Sequence, residues 1–376
     1  AFASDIDTVS SLHSQGLVGG GSARSPKPNM SSSTNMKLLS LVCLVVQNAG
    51  LVMLMRYSRS RHDRKMFLAS TAVTMDELMK FTLCSYIVIS TYFSQAKAES
   101  SGPSIDGLVK YFKKTVITWD GLTMAVPALL YTVQKNLLYV ALTNLDACIY
   151  QVAYQAKILT TAVFSCILLR TQLSRQRILS LLMLMSGVAL VEVAKLEEDR
   201  PKTSERPVLG LIAVSLACCT SGFAGVFFEY KLKMKSVQQT SLWVRNLQLA
   251  FFAGLIAVSG VFIEDWRAVR EAGFFQGYDW IVMLTITFEA GGGIIVALVV
   301  KYADNIAKNF ATGLSLTLTT ALSALLWDFH VSTFFVLGAV LTLSATYLYS
   351  TAPAVKVEAI PIQAPNIDHK KSAETV

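Results

Sequence analysis

The chain has 376 residues, of which 53% are hydrophobic and only 15% are charged. This composition excludes an ordinary soluble domain and predicts a membrane protein, with membrane lipid as its surroundings. The net charge of +8 is spread over short loops, where basic residues commonly flank membrane spans, so it gives no reason to expect a nucleic-acid partner.

Residues 1–36 are rich in Ser and Gly and contain no apolar core, so they predict a flexible tail and not a cleavable signal. Each crossing of a bilayer needs about 20 mostly apolar helical residues. Runs of that kind predict an all-α membrane protein with ten transmembrane helices. The predicted spans are 38–55, 66–93, 121–143, 145–169, 177–195, 208–229, 241–262, 279–301, 306–327 and 333–350.

An even number of spans places both termini on one side of the membrane. Lys and Arg are more numerous in the segments on that side, which predicts that both termini are cytosolic. The polar residues 353–376 are expected to form a second flexible cytosolic tail.

The two halves of the chain show an internal repeat. An offset of 159 residues aligns Asp120 with Asp279, and the segment 159–162 with 318–321. Since five spans per half is an odd number, the second half must be inserted upside down. The predicted organisation is a first five-helix repeat at 37–195, a linker at 196–207 and a second five-helix repeat at 208–352.

Ionisable side chains inside the predicted spans are the candidate functional groups, because each costs about 2.5–3.5 kcal/mol at the bilayer centre. The fourth span carries Asp146, Tyr150, Tyr154 and Lys157 at a spacing that predicts one shared helical face. Lysines attract phosphate and tyrosine rings stack on bases, so this stripe favours a nucleotide-like anion. Neutralisation of Lys157 by an acid such as Asp146 is the alternative interpretation.

A second polar stripe lies where the eighth and ninth predicted spans meet. It consists of Lys301, Asp304, Asn305 and Lys308. Matching stripes in two inverted halves are expected to face each other across a cavity near the membrane midplane.

Three further polar positions admit two interpretations each. Glu77 and Lys80 are spaced i, i+3 in the second span and either contact a ligand or neutralise each other. Asn246 and Gln248 in the seventh span contact a ligand or bond to neighbouring helices. In the sixth span, the Ser-Gly pair at 221–222 allows a close approach of backbones, either at a ligand site or for helix packing alone.

The sequence offers no support for an enzyme. It contains no phosphate-binding loop with a lysine, and its four histidines form neither a metal cluster nor a catalytic pair. The six cysteines all lie in predicted spans, so no disulfide framework or zinc site is expected. We predict no cofactor and no metal. The only Asp-x-Asp motif, at 5–7, lies in the tail, which is a poor place for a metal-dependent glycosyltransferase site.

Several segments resemble the nucleotide-sugar transporters, in the subgroup for CMP-sialic acid, UDP-galactose and UDP-N-acetylglucosamine. The resemblance covers roughly residues 37–352. It is carried by QKNLLYVALTNLDA at 134–147, YQVAYQAKILTT at 150–161, SGFAGV at 221–226 followed by FE at 228–229, SLWVRNLQ at 241–248 and KYADNIAK at 301–308.

This resemblance implies a fold of the drug/metabolite transporter type, with ten helices in two inverted five-helix repeats. It implies exchange of cytosolic nucleotide sugar for lumenal nucleoside monophosphate across the Golgi membrane. A homodimer and association with glycosyltransferases are further partner expectations. By position, the resemblance assigns phosphate contact to Lys157 and Lys308, nucleotide contact to Tyr131, Tyr150 and Asn246, close approach to Ser221 and Gly222, and the sugar end to Glu77 and Lys80.

The remaining predicted substrate-binding residues are Tyr154, Lys135, Asn136, Lys301 and Asn305. Lys135 departs from the family pattern, which usually has a second asparagine before Asn136, and it adds a third cation to the expected cavity.

The predicted substrate is a UDP-sugar, either UDP-galactose or UDP-N-acetylglucosamine or both, exchanged for UMP. The segments 137–140 and 158–161 look more like the UDP-sugar members, and Ala250 is small where the CMP-sialic acid members tend to carry tyrosine. A CMP-sialic acid/CMP antiporter of the same family stays open as an alternative. A membrane-embedded glycosyltransferase and a carrier for another anion, such as a triose phosphate, are less favoured.

Overall fold

The computed structural model describes residues 30–60, 67–98, 104–145, 147–194, 206–233, 241–326 and 332–353. Within these ranges the chain is all helical and contains no strand. The helices are α1 (Met30–Ser60), α2 (Ala69–Ala98), α3 (Ile105–Thr115), α4 (Trp119–Leu122), α5 (Ala125–Asn144), α6 (Ala147–Tyr154), α7 (Lys157–Leu168), α8 (Arg175–Ala194), α9 (Pro207–Lys233), α10 (Leu242–Gly260), a π-helical turn (Val261–Asp265), α11 (Trp266–Ala272), α12 (Trp280–Tyr302), α13 (Asn305–Leu326) and α14 (Thr333–Thr351).

Side-chain caps fix the starts of three long helices near the predicted boundaries. Ser241, Asp279 and Ser332 each accept a hydrogen bond from an amide in the first turn of the helix that follows. Such caps satisfy amides that have no partner inside the helix. The starts of α10, α12 and α14 therefore follow from local sequence.

Six of these helices are long and apolar enough to cross a membrane, judged by length and composition. They are α1, α8, α9, α12, α14 and the continuous stretch Leu242–Ala272. A seventh crossing is obtained if α3 and the α4–α5 stretch, which are bent by 58°, count as one span. The chain is thus a multi-pass membrane protein.

The remaining predicted spans correspond to α2, to α6 with α7, and to α13. The fourth span is divided into two helices of 8 and 12 residues, each too short to cross a membrane alone. α2 and α13 carry charged side chains that the sequence singled out. The count of ten spans stays a prediction.

The predicted tails and linker lie largely outside the described residues, which omit 1–29, 195–205 and 354–376. α1 begins at Met30, inside the segment predicted to be the N-terminal tail.

Helix pairs that pack closely set the position of the polar residues. α9 packs against α5 and α7, whereas α1 packs against α12 and α13. α2 packs against α10, and α8 against α14. In the last pair, a Cβ on Gly187 would lie 2.9 Å from the carbonyl oxygen of Gly338, so small residues permit this close approach.

Candidate substrate-binding site

The fourth predicted span is broken next to its lysine. α6 ends at Tyr154 and α7 begins at Lys157. Between them, the amides of Gln155 and Ala156 donate to carbonyls three residues earlier, at 3.2 and 3.1 Å, which is a tight turn and not α-helix. The fourth predicted span is therefore two short helices joined by this turn, and not one continuous helix. Asp146 lies outside the described residues.

Lys157 and the tyrosines nevertheless adjoin across the break. Tyr150 and Tyr154 form what we call the tyrosine wall, with ring centroids 6.0 Å apart and planes inclined by 8°. Lys157 Nζ lies 3.9 Å from the centroid of the Tyr154 ring, within cation–π range. Gln134 donates a hydrogen bond of 3.0 Å to the Tyr154 hydroxyl, and Tyr131 is within electrostatic reach of that hydroxyl. Gln134 is a member of this group that sequence reasoning did not single out.

α9 holds the break in place. Thr160 Oγ1 donates to the Cys218 carbonyl at 2.7 Å, and the Cys218 thiol donates to the Tyr154 carbonyl at 3.4 Å. A Cβ on Gly222 would lie 2.7 Å from Thr160 Oγ1, so Gly222 is a position of close approach between α7 and α9. Its neighbour Ser221 is partly buried.

The second polar stripe is also divided between two helices. α12 ends at Tyr302, and α13 begins at Asn305. Asp304 accepts a hydrogen bond of 2.6 Å from the Ala307 amide and so caps the first turn of α13, where Lys308 lies.

Lys157 and Lys308 are two partly exposed cations in the interior of the helix assembly. In the part of the chain that the structure describes, neither forms an ion pair with a carboxylate. The helix starts that carry them adjoin, because Ile158 of α7 and Ile306 of α13 belong to one apolar cluster, and the two positive charges repel each other across it. Glu229 attracts Lys308 and Glu192 attracts Lys157, but only through space and not by direct contact. The alternative of a lysine neutralised by an acid finds no support among the described residues.

The C-terminal end of α9 clamps the junction between α12 and α13. Glu229, which is 2% exposed, pairs with Lys233 at 2.7 Å and accepts the Asn305 amide at 2.9 Å. Lys233 also donates to the Ala303 carbonyl at 2.6 Å. A Cβ on Gly225 would meet the Asn305 side chain. Asn305 is thus held against α9 as part of this clamp.

A second ionic contact joins α9 and α10 to the start of α4. Asp120 pairs with Lys231 at 2.8 Å and with the guanidinium of Arg245, which is buried. Gln248 donates to the Val116 carbonyl at 2.8 Å. Gln248 therefore bonds to a neighbouring segment, which is the second of the two interpretations offered for it.

Three acidic side chains from α2 and α12, which we call the acid cluster, surround a lysine. They are Asp76, Glu77 and Glu289. Lys80 Nζ lies 2.8 Å from Glu77 and 3.0 Å from Asp76, so Glu77 and Lys80 neutralise each other. The second oxygen of Asp76 is buried and has no hydrogen-bond partner among the residues that the structure describes. Glu289 is within electrostatic reach of both other acids. Asp76 and Glu289 were missed, although their charge inside predicted spans was a usable signal.

The remaining predicted residues occupy different environments. Lys135, Asn136 and Lys301 are exposed. Lys135 nevertheless acts electrostatically on all three members of the acid cluster. Asn136 and the buried Asn246 each donate to a backbone carbonyl of their own helix, at 3.0 and 3.3 Å. Lys301 Nζ lies 5.3 Å from the Tyr302 ring.

Comparison with known proteins identifies the family of this chain. The family described as nucleotide-sugar transporter matches residues 32–350. A UDP-N-acetylglucosamine transporter of Canis lupus familiaris is 42% identical over 328 residues, which cover 85% of this chain and 97% of that protein. A UDP-galactose translocator of Bos taurus is 42% identical over 353 residues, covering 92% and 86%.

A third relative and a solved structure extend the likeness. A UDP-galactose transporter of Schizosaccharomyces pombe is 41% identical over 319 residues, covering 84% of this chain and 88% of that protein. A crystal structure with 13% sequence identity covers 86% of this chain and 98% of that chain with a TM-score of 0.56, so that likeness concerns the fold alone.

The family and these relatives are transporters and not enzymes, which disfavours the glycosyltransferase alternative. The match extends from α1 to α14 and includes the lysines, the tyrosine wall and the acid cluster. The chain belongs to the nucleotide-sugar transporter family.

Proposed function

We propose that this chain is an antiporter that carries UDP-galactose, UDP-N-acetylglucosamine or both from the cytosol into the Golgi lumen in exchange for UMP. Relatives of about 42% identity named for UDP-N-acetylglucosamine and for UDP-galactose support this substrate class. The Golgi location and the cytosolic position of both termini are part of the proposal.

The observation that carries the proposal is the pair of interior lysines, Lys157 and Lys308, which form no ion pair with any carboxylate among the described residues. Lys157 and Lys308 repel each other, so a phosphate group bound between them would relieve this repulsion. Lys157 is also the first residue of α7, whose start has no side-chain cap, and a helix N-terminus favours a bound anion. The adjoining tyrosine wall offers a ring face to a base.

Exchange follows from the same charges. When no substrate is bound, a transporter with two unneutralised cations in its cavity should switch slowly between its cytosol-facing and lumen-facing forms. The switch would move these charges away from water, which is costly. Bound phosphate neutralises them, so loaded forms should interconvert readily, whichever side the nucleotide came from. This coupling is antiport.

Two inverted repeats would provide the moving parts. Equivalent spans in the two proposed halves have equivalent packing: α5 on α9 corresponds to α1 on α12, and α7 on α9 corresponds to α1 on α13. The pairs α2–α10 and α8–α14 each relate a span to its own counterpart. This pattern supports ten spans related by an in-plane axis, with the substrate near the midplane. Glu77, Lys80 and the exposed Lys135 would then lie toward the sugar.

Purified protein in liposomes tests the proposal. Vesicles are preloaded with UMP, with CMP or with buffer, and uptake of labelled UDP-galactose, UDP-N-acetylglucosamine and CMP-sialic acid is measured. We expect UMP to accelerate uptake of one or both UDP-sugars. If CMP accelerates uptake of CMP-sialic acid and UMP accelerates no uptake, the result would instead support the CMP-sialic acid/CMP antiporter. Equal uptake with and without preloading would contradict exchange.

A further inference from the structure

α3 is an amphipathic helix with one face that the described part of the chain does not cover. It has 11 residues, which extend about 16 Å and cannot cross a bilayer. Its axis is bent by 58° from the α4–α5 stretch that follows, so it does not continue that span. Such a helix is suited to lie along the membrane surface.

The inner face of α3 is fixed by packing. Tyr111 and Phe112 pack against α2 and α10, and the Tyr111 ring lies 5.4 Å from that of Tyr92. The Tyr92 hydroxyl donates to the Ser104 carbonyl at 3.1 Å, and Ser104 caps the helix. Gly107 leaves room for the Tyr92 ring. The outer face of α3 therefore has a defined direction.

Apolar side chains on the outer side form an exposed edge. Ile105 is 81% exposed and Val109, one turn later, is 47% exposed. Beyond the helix, Ile117 and Trp119 are 73% and 88% exposed. An exposed tryptophan at a helix start is typical of the interface between hydrocarbon and headgroups. This edge is placed to enter the acyl boundary.

Three lysines lie beside this apolar edge. Lys110, Lys113 and Lys114 are exposed. By helical spacing Lys113 adjoins Val109, and the other two lie farther around the same polar face. No ion pair in the described chain involves them. Apolar side chains inserted beside unpaired lysines match a leaflet that contains anionic headgroups.

We propose that α3 is a membrane-surface helix that binds anionic phospholipid through Lys110, Lys113 and Lys114. In the proposed orientation it lies on the cytosolic side, where anionic lipids are concentrated. This inference rests on the proposed topology and not on the transported substrate.

The end of α3 and the residues just after it are bonded directly to α9 and α10, so lipid binding at α3 would act on these two helices. The Val116 carbonyl at the end of α3 accepts the hydrogen bond from Gln248 of α10. Asp120, just beyond, pairs with Lys231 of α9 and Arg245 of α10. Anchoring α3 in an anionic leaflet thus steadies the ends of two helices that line the proposed transport path.

The test compares two variants with the same loss of charge in the full chain. One is Lys110→Gln/Lys113→Gln/Lys114→Gln. The control is Lys37→Gln/Lys97→Gln/Arg175→Gln, which removes three exposed charges on the same proposed side. Phosphatidylserine retained per chain is counted by mass spectrometry after reconstitution and repurification. UMP-driven uptake is measured in phosphatidylcholine vesicles with and without phosphatidylserine.

Each lysine at an anionic surface contributes a factor of about five to association. We expect the α3 variant to retain at least about tenfold less phosphatidylserine per chain than the unaltered protein, and its uptake to become independent of phosphatidylserine. The control should retain the lipid and the lipid dependence of uptake. Equal lipid loss in the two variants would overturn the proposal. So would unchanged lipid retention with a raised KM for nucleotide sugar in neutral vesicles, which would make the lysines a steering surface for substrate. Lipid counting needs no transport, so it succeeds or fails independently of the proposed function.

Discussion

The ammonium group of Lys157 lies 3.9 Å from the centre of the Tyr154 ring, although the two residues belong to different helices. The tight turn between α6 and α7 keeps the two side chains adjacent, as the three-residue spacing of a continuous helix also would. A cation held over an aromatic ring keeps most of its charge available to a further partner. This relationship gives the site both a phosphate ligand and a stacking surface.

We expect the ring and the hydroxyl of Tyr154 to make separate contributions to substrate binding. Tyr154→Phe removes the hydroxyl that accepts from Gln134 and keeps the ring, so we expect a loss of about 1 kcal/mol, or about fivefold in the KM of UMP-driven uptake. Tyr154→Leu also removes the ring face next to Lys157 and should cost about 1–2 kcal/mol more. Tyr347→Leu, at an exposed tyrosine on α14, is the control. Equal effects of Phe and Leu would show that the ring face has no role.

The close approach of α7 and α9 at Gly222 predicts that a side chain at this position is destabilising. Gly222→Ala would place a Cβ 2.7 Å from Thr160 Oγ1 and 2.9 Å from the Thr160 carbonyl carbon, which forces α7 away from α9. Overpacking of this kind typically costs about 1–3 kcal/mol. We expect a lower thermal unfolding midpoint in detergent and slower uptake. Gly291→Ala is the matched control, because a Cβ there meets nothing within 4 Å. If both variants have the same midpoint, the close approach does not constrain α7.

The composition and the family resemblance were sufficient to predict the membrane class and most helix boundaries, because apolar runs and capping residues are local signals. Asp279 and Ser332, for example, start α12 and α14 close to where the spans were predicted. The family assignment was confirmed by the comparisons. Ten spans and their inverted repeat stay predictions.

What the sequence did not reveal depends on contacts between distant segments. The break after Tyr154 has no glycine or proline to announce it, and it is held by Cys218 from α9. Likewise, the pairing of Glu229 with the Asn305 amide joins residues that no periodicity relates. Periodicity reports which face a residue occupies within one helix, but not where that helix is interrupted or what another helix supplies.

The clamp at the α12–α13 junction predicts that substitutions of Glu229 and Lys233 have non-additive effects on thermal stability. Glu229→Gln removes the charge that holds Lys233, and it weakens the acceptor for the Asn305 amide, so we expect a clear drop in thermal stability. Lys233→Gln should cost less, because that side chain is 37% exposed. The double variant should be less destabilised than the sum of the two. Additive losses in a double-mutant cycle would mean that the two side chains act separately.

The acid cluster predicts an asymmetry between its charges. Lys80→Gln leaves Asp76 and Glu77 without their cation, and removing one partner of a buried pair costs up to about 3–5 kcal/mol. Glu77→Gln leaves Lys80 still paired with Asp76 and should cost less. Unfolding midpoints of the two variants test this order. Adding Glu77→Gln to Lys80→Gln should recover part of the stability, and a further loss in that double variant would contradict the ion-pair account.

The central claim is that Lys157 and Lys308, two interior lysines that pair with no carboxylate in the described part of the chain, bind the phosphate of the nucleotide. Equilibrium binding of UMP and of uridine to the purified protein separates phosphate recognition from base recognition. For Lys157→Gln and Lys308→Gln we expect a rise of about 10–100-fold in the Kd of UMP, since each removes a charge-assisted contact, and no change in the Kd of uridine. Lys97→Gln, at an exposed lysine near the end of α2 that is not among the predicted substrate-binding residues, should change neither. If Lys157→Gln and Lys308→Gln bind UMP as tightly as the unaltered chain, or weaken uridine as much as UMP, the lysines do not hold the phosphate and the account fails.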